Sequence, residues 1–228
     1  MIVSVQLAQP GPRAALGVLR APPRPERTPG LLWAQPAVTV PLGGPRVPTG
    51  VALLSAWDDE AALDAFVADG SAVGAALAGG YAMRMDPVRT VGTWPALPTL
   101  ADASGASDAE EPMAVITLAH VRPRRVLPFI RASSAAERLA RDSPALLLGT
   151  AMALPPTFVA TFSVWRSVRE MRAYTTGRDV GDGHVAAMRA HAAEPFHSAS
   201  AFARFRPTHA HGAWRGLAPL AGEPAVAA

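Results

Sequence analysis

Residues 51–66 read VALLSAWDDEAALDAF, and residues 159–174 read VATFSVWRSVREMRAY. At an ungapped offset of 108, Val51 matches Val159, Ala52 matches Ala160, Ser55 matches Ser163 and Trp57 matches Trp165. Leu63 then falls on Met171 and Phe66 on Tyr174. Each copy opens as an apolar strand ending at Trp and continues with apolar spacing near 3.6, the period of a helix. A match of this kind at one fixed offset predicts an internal duplication, so the two halves share a fold.

Working outward, the second copy is the clearer one. MAVITLAHV (113–121) reads as a strand and LPFIRASSAAERLAR (127–141) as a helix. ALLLGTAMAL (145–154) and FVATFSVW (158–165) read as strands parted by Pro155-Pro156. Helical pattern follows in SVREMRAYT and around GHVAAMRAH, and SAFARFRP (200–207) closes as a strand. Strand-helix-strand-strand-helix-strand is the ferredoxin-like split unit. The first half repeats it more faintly, through IVSVQLA, RAALGVL, GLLWAQPAVTV, GVALLSAW, the helical AALDAFV and AVGAALAGG, and VRTVGTW. The fold expected is α+β: tandem ferredoxin-like repeats forming a dimeric-type α+β barrel with helices outside. The expected parts are an N-terminal repeat (1–97), an acidic linker PTLADASGASDAEEP (98–112), a C-terminal repeat (113–215) and a flexible tail (216–228).

Composition narrows the chemistry. Half of the 228 residues are hydrophobic, there is no cysteine, and the 21 basic residues are all arginine. Thiolate ligands, cysteine nucleophiles and disulfides are thereby excluded. The net charge of +3 is modest, and the one tight basic cluster, Arg122-Pro123-Arg124-Arg125, lacks interleaved aromatics. That pattern argues against a nucleic-acid partner. It reads as a strand-to-helix corner, with a phosphate or anionic membrane-surface contact as the alternative. No stretch approaches the ~20 apolar residues of a spanning helix. MIVSVQLAQP lacks the basic start and apolar run of a signal peptide, so a cytoplasmic protein is expected. Gly43-Gly44 and Gly79-Gly80 are turn signals without phosphate-loop spacing, and no Ser-His-Asp order or paired-carboxylate motif stands out.

The histidines carry the open question. His184, Met188 and His191 lie at i, i+4 and i+7 on one helix face, just after Gly181-Asp182-Gly183. An imidazole there suits iron, and it equally suits a solvent-facing helix start with Met188 in the core. His191 fits the helix end, where an imidazolium complements the dipole. His209 and His211 form a His-x-His in an expected loop, too few ligands for a site; His120, on a strand, has no role assigned. Trp57 and Trp165 read as packing residues. Arg204 and Arg206 alternate with Phe202 and Phe205, so either arginine could face a carboxylate or an oxygen species, or both could line the solvent side of an edge strand.

AVITLAHVRPRRVLPFIRA, FVATFSVWRSVREMRAY, GHVAAMRAH, AFARFRP and GAWRG, with RTPGLLWAQ (27–35) and TGVALLSAW (49–57) before them, resemble the spheroidene monooxygenase family, the carotenoid ketolases of phototrophic bacteria and their bacterial relatives. The resemblance spans about Arg27 to Gly216. It departs at Phe196-His197-Ser198-Ala199-Ser200, where the family tends to have Trp-Phe and acidic residues, and at WAQPAV, where the family has a lysine-containing stretch. What the resemblance implies is a haem-dependent oxygenase with haem b, His184 as iron ligand and Met188 beside it. Phe162, Met152 and Phe196 would wall the distal pocket, and His197, Arg204 and Arg206 would be the catalytic candidates. The substrate implied is an apolar small molecule, with O2 and an external electron donor such as a ferredoxin, since the chain has no dinucleotide fingerprint. A homodimer is expected because related barrels associate. Two rivals stand beside this reading: a cofactor-free α+β barrel monooxygenase or cyclase, and a non-catalytic protein that binds haem or an apolar ligand.

Overall fold

Strands such as Phe158–Trp165 alternate buried and half-buried residues with period two, and the computed structural model describes residues 1–176 and 195–222. The first repeat runs β1 (Ile2–Ala8), α1 (Pro12–Arg20), β2 (Leu31–Pro41), β3 (Gly50–Trp57), α2 (Glu60–Ala68), α3 (Ala72–Leu77) and β4 (Tyr81–Thr93). The second runs β5 (Met113–Val121), α4 (Val126–Arg141), β6 (Leu146–Leu154), β7 (Phe158–Trp165), α5 (Val168–Thr176) and β8 (His197–His211). The hydrogen-bonded order β1-β3-β2-β6-β7-β5-β8-β4 closes on itself. The fold class is therefore the α+β barrel of two ferredoxin-like repeats.

By internal contacts the chain forms two compact units. The first comprises Met1–Thr39, Pro48–Pro87 and Phe205–Ala228; the second comprises Val40–Val47 and Val88–Arg204. In the first unit β1 lies antiparallel between β3 and β4, with Ser4 opposite Ser55 and Val5 opposite Met83. One sheet face carries Ile2, Ala8, Leu53 and Trp57 against Val18 of α1, Phe66 of α2 and Leu77 of α3. The other face, with Val5, Leu7, Leu54 and Met83, is equally apolar and buried. Near-continuous hydrophobic strands follow from burial on both faces. Asp59 and Ser71 start α2 and α3 as N-caps, accepting from Ala62 N and Gly74 N.

The second unit repeats the plan. β7 lies antiparallel between β5 and β6, and Met113, Val115, Ala151 and Trp165 pack with Ala140 of α4 and Met171 of α5. The duplication extends to side-chain geometry. Trp57 Nε1 donates to Ser55 Oγ at 2.9 Å and Trp165 Nε1 to Ser163 Oγ at 3.0 Å. The rings of Trp57 and Phe66 are 5.1 Å apart, and those of Trp165 and Tyr174 are 5.0 Å apart. Opposite each Trp the register shifts, at Leu31/Trp33 and at Leu146/Leu148.

The hairpin at Val40–Val47 is fixed to α4. Glu137 accepts from Gly43 N at 2.9 Å and pairs with Arg46 at 2.9 Å. Gly43 has φ +62, and a Cβ there would stand 2.6 Å from Arg138 N, so only glycine fits. Two strands are longer than the alternation of their clearest stretches indicated. β4 begins at Tyr81 rather than Val88, and β8 spans His197–His211 rather than 200–207. His209 and His211 therefore lie in a strand rather than a loop, their rings 5.7 Å apart. β8 is also not an edge strand, because β5 and β4 flank it. Beyond β8, Tyr81 Oη donates to the Pro219 carbonyl at 3.0 Å. No described helix is long and apolar enough to cross a membrane.

Candidate active site

Alternation along β5 and β7 sorts the second unit's residues onto two faces. Phe162 pairs with Ile116 and Thr150, Ala160 with Leu118 and Met152, and Phe158 with His120 and Leu154. These residues share the face turned away from α4 and α5. Phe162 is 0 % exposed and Met152 and Leu118 are each 2 % exposed. The one ionisable side chain in this set is His120, at the end of β5.

His120 is held on several sides. Its Nδ1 lies 3.1 Å from Thr157 Oγ1, at the β6–β7 turn. The Trp94 indole, itself 1 % exposed, stacks on the imidazole with centroids 4.9 Å apart and planes 13° from parallel. Phe158 meets both rings edge-on at 6.0 Å. Ser198 Oγ donates to the His120 carbonyl at 3.3 Å, tying the start of β8 to the end of β5. An imidazole so fixed has one nitrogen engaged locally, which sets the tautomer available to a ligand.

The neighbouring start of β8 brings in two residues singled out by sequence. Phe196 is buried, with its ring 6.3 Å from Phe129 of α4, and its carbonyl accepts from Arg122 N at 2.9 Å. His197 is half-buried, its ring 5.2 Å from Phe129 and tilted by 70°. Arg122 thus forms part of a strand-to-helix corner through Pro123–Arg125, as its sequence suggested. Arg204 lies half-buried further along β8, and Arg206 follows it. Burial first, then the charges of Arg172 and Arg89, hold the Arg204 guanidinium below its ordinary value.

Of the residues assigned from sequence, Phe162 and Met152 share one sheet face, while Phe196 and His197 gather around Phe129. His184, Met188 and His191 lie outside the described residues. Among the described residues no group of three or more His, Asp or Glu side chains could hold a metal ion. Phe162 and Met152, expected to wall a haem pocket, are both buried on the face turned away from α4 and α5. His120 and Trp94 were not singled out as site residues. One signal was available for His120: in MAVITLAHV it keeps the parity of Ile116 and Leu118, a lone polar side chain on an apolar face.

No family model matches this chain, and no curated protein matches it. Solved structures resemble it in fold. They include a monooxygenase candidate of Fusobacterium nucleatum subsp. nucleatum, 10% identical, covering 92% of this chain and 94% of that one with a TM-score of 0.42. An anthrone oxidase-like protein is 14% identical, with 96% and 95% covered and a TM-score of 0.36. A ferredoxin-fold protein of Listeria monocytogenes related to antibiotic biosynthesis monooxygenases is 8% identical, with 90% and 94% covered and a TM-score of 0.31. Likeness this distant concerns the fold alone.

Proposed function

We propose that this chain is an oxygenase acting on an apolar, ring-bearing substrate beside His120 in the second unit. One observation supports the reading above the rest. A single imidazole, braced by Thr157 and stacked on Trp94, ends a sheet face whose other members are apolar but for Thr150. When Thr157 Oγ1 accepts from Nδ1–H, Nε2 keeps its lone pair and can take a proton from an acidic C–H of the substrate. Phe158 frames the imidazole edge-on, and excluding water there protects the carbanion. The carbanion then reduces O2 directly. Conversion of an activated CH2 to a carbonyl consumes one O2 and releases one water, so no external reductant enters this version of the reaction.

The second reading keeps haem b, with His184 as iron ligand, as the resemblance to the spheroidene monooxygenases implies. The shared face of Phe162 and Met152 favours it, since both were expected to wall a distal pocket. Haem, when bound, would supply O2 activation with electrons from an external donor such as a ferredoxin. The residues named would orient an apolar substrate and exclude water. Phe196 would contribute from the β8 side, with His197, Arg204 and Arg206 as polar groups.

One pair of measurements separates the two. Protein produced with ample haem supply is examined by visible spectroscopy as wild type and His184→Ala. Oxygen uptake with anthrone, chosen for its acidic CH2 between fused rings, is followed in wild type and His120→Ala. A colourless protein whose oxygen uptake drops by about 100-fold in His120→Ala supports the first reading. A Soret band lost in His184→Ala supports the second. Uptake indifferent to His120→Ala overturns the first, and a colourless protein that takes up no added haemin overturns the second.

A further inference from the structure

The outward side of α4 carries only leucine, proline and arginine: its exposed residues are Leu127, Pro128, Arg131, Arg138 and Arg141. At about 3.6 residues per turn, Leu127 and the three arginines fall within about 80° of one another, a single stripe along the helix. The carboxylates nearby are already engaged. Glu137, the one acidic residue of α4, is buried and held by Gly43 N and Arg46, and Asp142 at the C-cap pairs with Arg141. Neither Arg124 nor Arg131 forms an ion pair among the described residues.

A basic stripe alone is ordinarily a solvated face, but the start of α4 adds an apolar surface to it. The helix begins at Arg125 with no side-chain cap and no acidic residue in its first turn, directly after the exposed Arg122 and Arg124. Three arginines thus stand at the helix end that is already positive. Val126, Phe129 and Ile130 in that turn are only half-buried, although Phe129 touches Phe196 and His197. Leu127 is 67 % exposed, the highest value for a large hydrophobic side chain among the described residues. What α4 buries lies further on, at Ala136, Glu137 and Ala140. The helix therefore leaves its largest apolar side chains where it has least cover. Lipid phosphates suit the guanidinium groups, and the acyl boundary just beneath them suits the leucine. A nucleic acid would match the arginines and leave Leu127 without a counterpart.

We propose that this arginine corner and the outward stripe of α4 form a docking surface for an anionic lipid bilayer. Leu127 enters the headgroup boundary, and Arg122, Arg124 and Arg131 meet lipid phosphates. The surface does not depend on the oxygenase reading. Under that reading, Arg122 follows His120 by two residues, so an apolar substrate dissolved in lipid would arrive beside the site.

The test is co-sedimentation of the full chain with vesicles of phosphatidylcholine, alone or with part of the lipid replaced by phosphatidylglycerol. The chain should sediment with the anionic vesicles only, and rising sodium chloride should release it. Arg124→Gln and Arg131→Gln should each weaken partitioning about fivefold, and Leu127→Ser about tenfold. Leu127→Trp should keep the binding, because an indole sits well at the headgroup level. All three positions are exposed, so melting temperatures close to wild type show that the variants fold. Sedimentation with both kinds of vesicle, or with neither, would overturn the proposal. So would binding that Leu127→Ser leaves unchanged, the result expected of a purely electrostatic surface for a nucleic acid or an acidic protein. Self-association weakened by Leu127→Ser, without vesicle binding, would assign the face to a second copy of the chain instead.

Discussion

Ser55 and Ser163 stand in the same place in the two repeats, each accepting the indole N–H of the tryptophan two residues on. They differ in what else they hold. Ser55 Oγ also lies 2.8 Å from Ser4 Oγ, in a fully buried pair. Ser55→Ala orphans two buried polar groups and should cost about 2–4 kcal/mol, whereas Ser163→Ala orphans one and should cost about 1–2 kcal/mol. Urea unfolding of both variants checks this; equal losses would contradict the account.

Glu137 is 8 % exposed and holds the Val40–Val47 hairpin to α4 through Gly43 N and Arg46. Removing Arg46 leaves that carboxylate buried with less to compensate it. Arg46→Met should destabilise the chain by roughly 2 kcal/mol, below the full penalty of a sealed pair because Arg46 is itself partly solvated. Glu137→Gln keeps a hydrogen-bond acceptor for Gly43 N, so it should partly relieve the loss in the double variant. Denaturation midpoints for the three variants decide it.

Stability should fall in alkali. Burial pushes the Tyr81 hydroxyl well above the ordinary tyrosine value, and burial with the nearby Glu137 charge does the same at Tyr174. Both hydroxyls donate to carbonyls, Tyr81 to Pro219 and Tyr174 to Ala136. An acid whose folded pKa is raised gives stability that is complete below its unfolded pKa of about 10 and drains away as pH climbs above it. Melting temperatures measured between about pH 9 and pH 11 should decline in wild type. They should decline less steeply in Tyr81→Phe; an unchanged slope would exclude Tyr81 as a source.

A smaller effect belongs to the acid side. Burial, then His209 and Arg84, hold the His211 imidazole below its ordinary value. Its folded form stays neutral where the unfolded chain takes a proton, so this contribution is present above about pH 6.5 and is lost as pH falls through the folded pKa. His211→Asn should flatten the Tm profile between about pH 7 and pH 5. A profile as steep as wild type would assign the acid sensitivity elsewhere.

Much of the architecture was legible in advance because period and repeat are local signals. FVATFSVW and GVALLSAW coincide with β7 and β3, and the offset that paired Trp57 with Trp165 also pairs their hydrogen bonds and ring contacts. Strand ends were less legible. YAMRMD carries its apolar residues at Tyr81, Met83 and Met85, but Asp86-Pro87 interrupts the pattern that VRTVGTW resumes. The candidate site was harder, because its members come from separate elements. Trp94 follows β4, His120 ends β5 and Thr157 sits in a turn, and none of the three announces the others along the chain.

Where the first repeat has Phe66 the second has Tyr174, and the added hydroxyl reaches the Ala136 carbonyl of α4 at 2.9 Å. That one oxygen turns two neighbouring helices into a linkage. The next residue along α4 is Glu137, which grips the hairpin at Gly43. Any displacement of α5 that keeps these bonds must carry α4 and the hairpin with it. The later copy of the duplication is thus geared along this route, and a single-atom change, Tyr174→Phe, would take it out of gear.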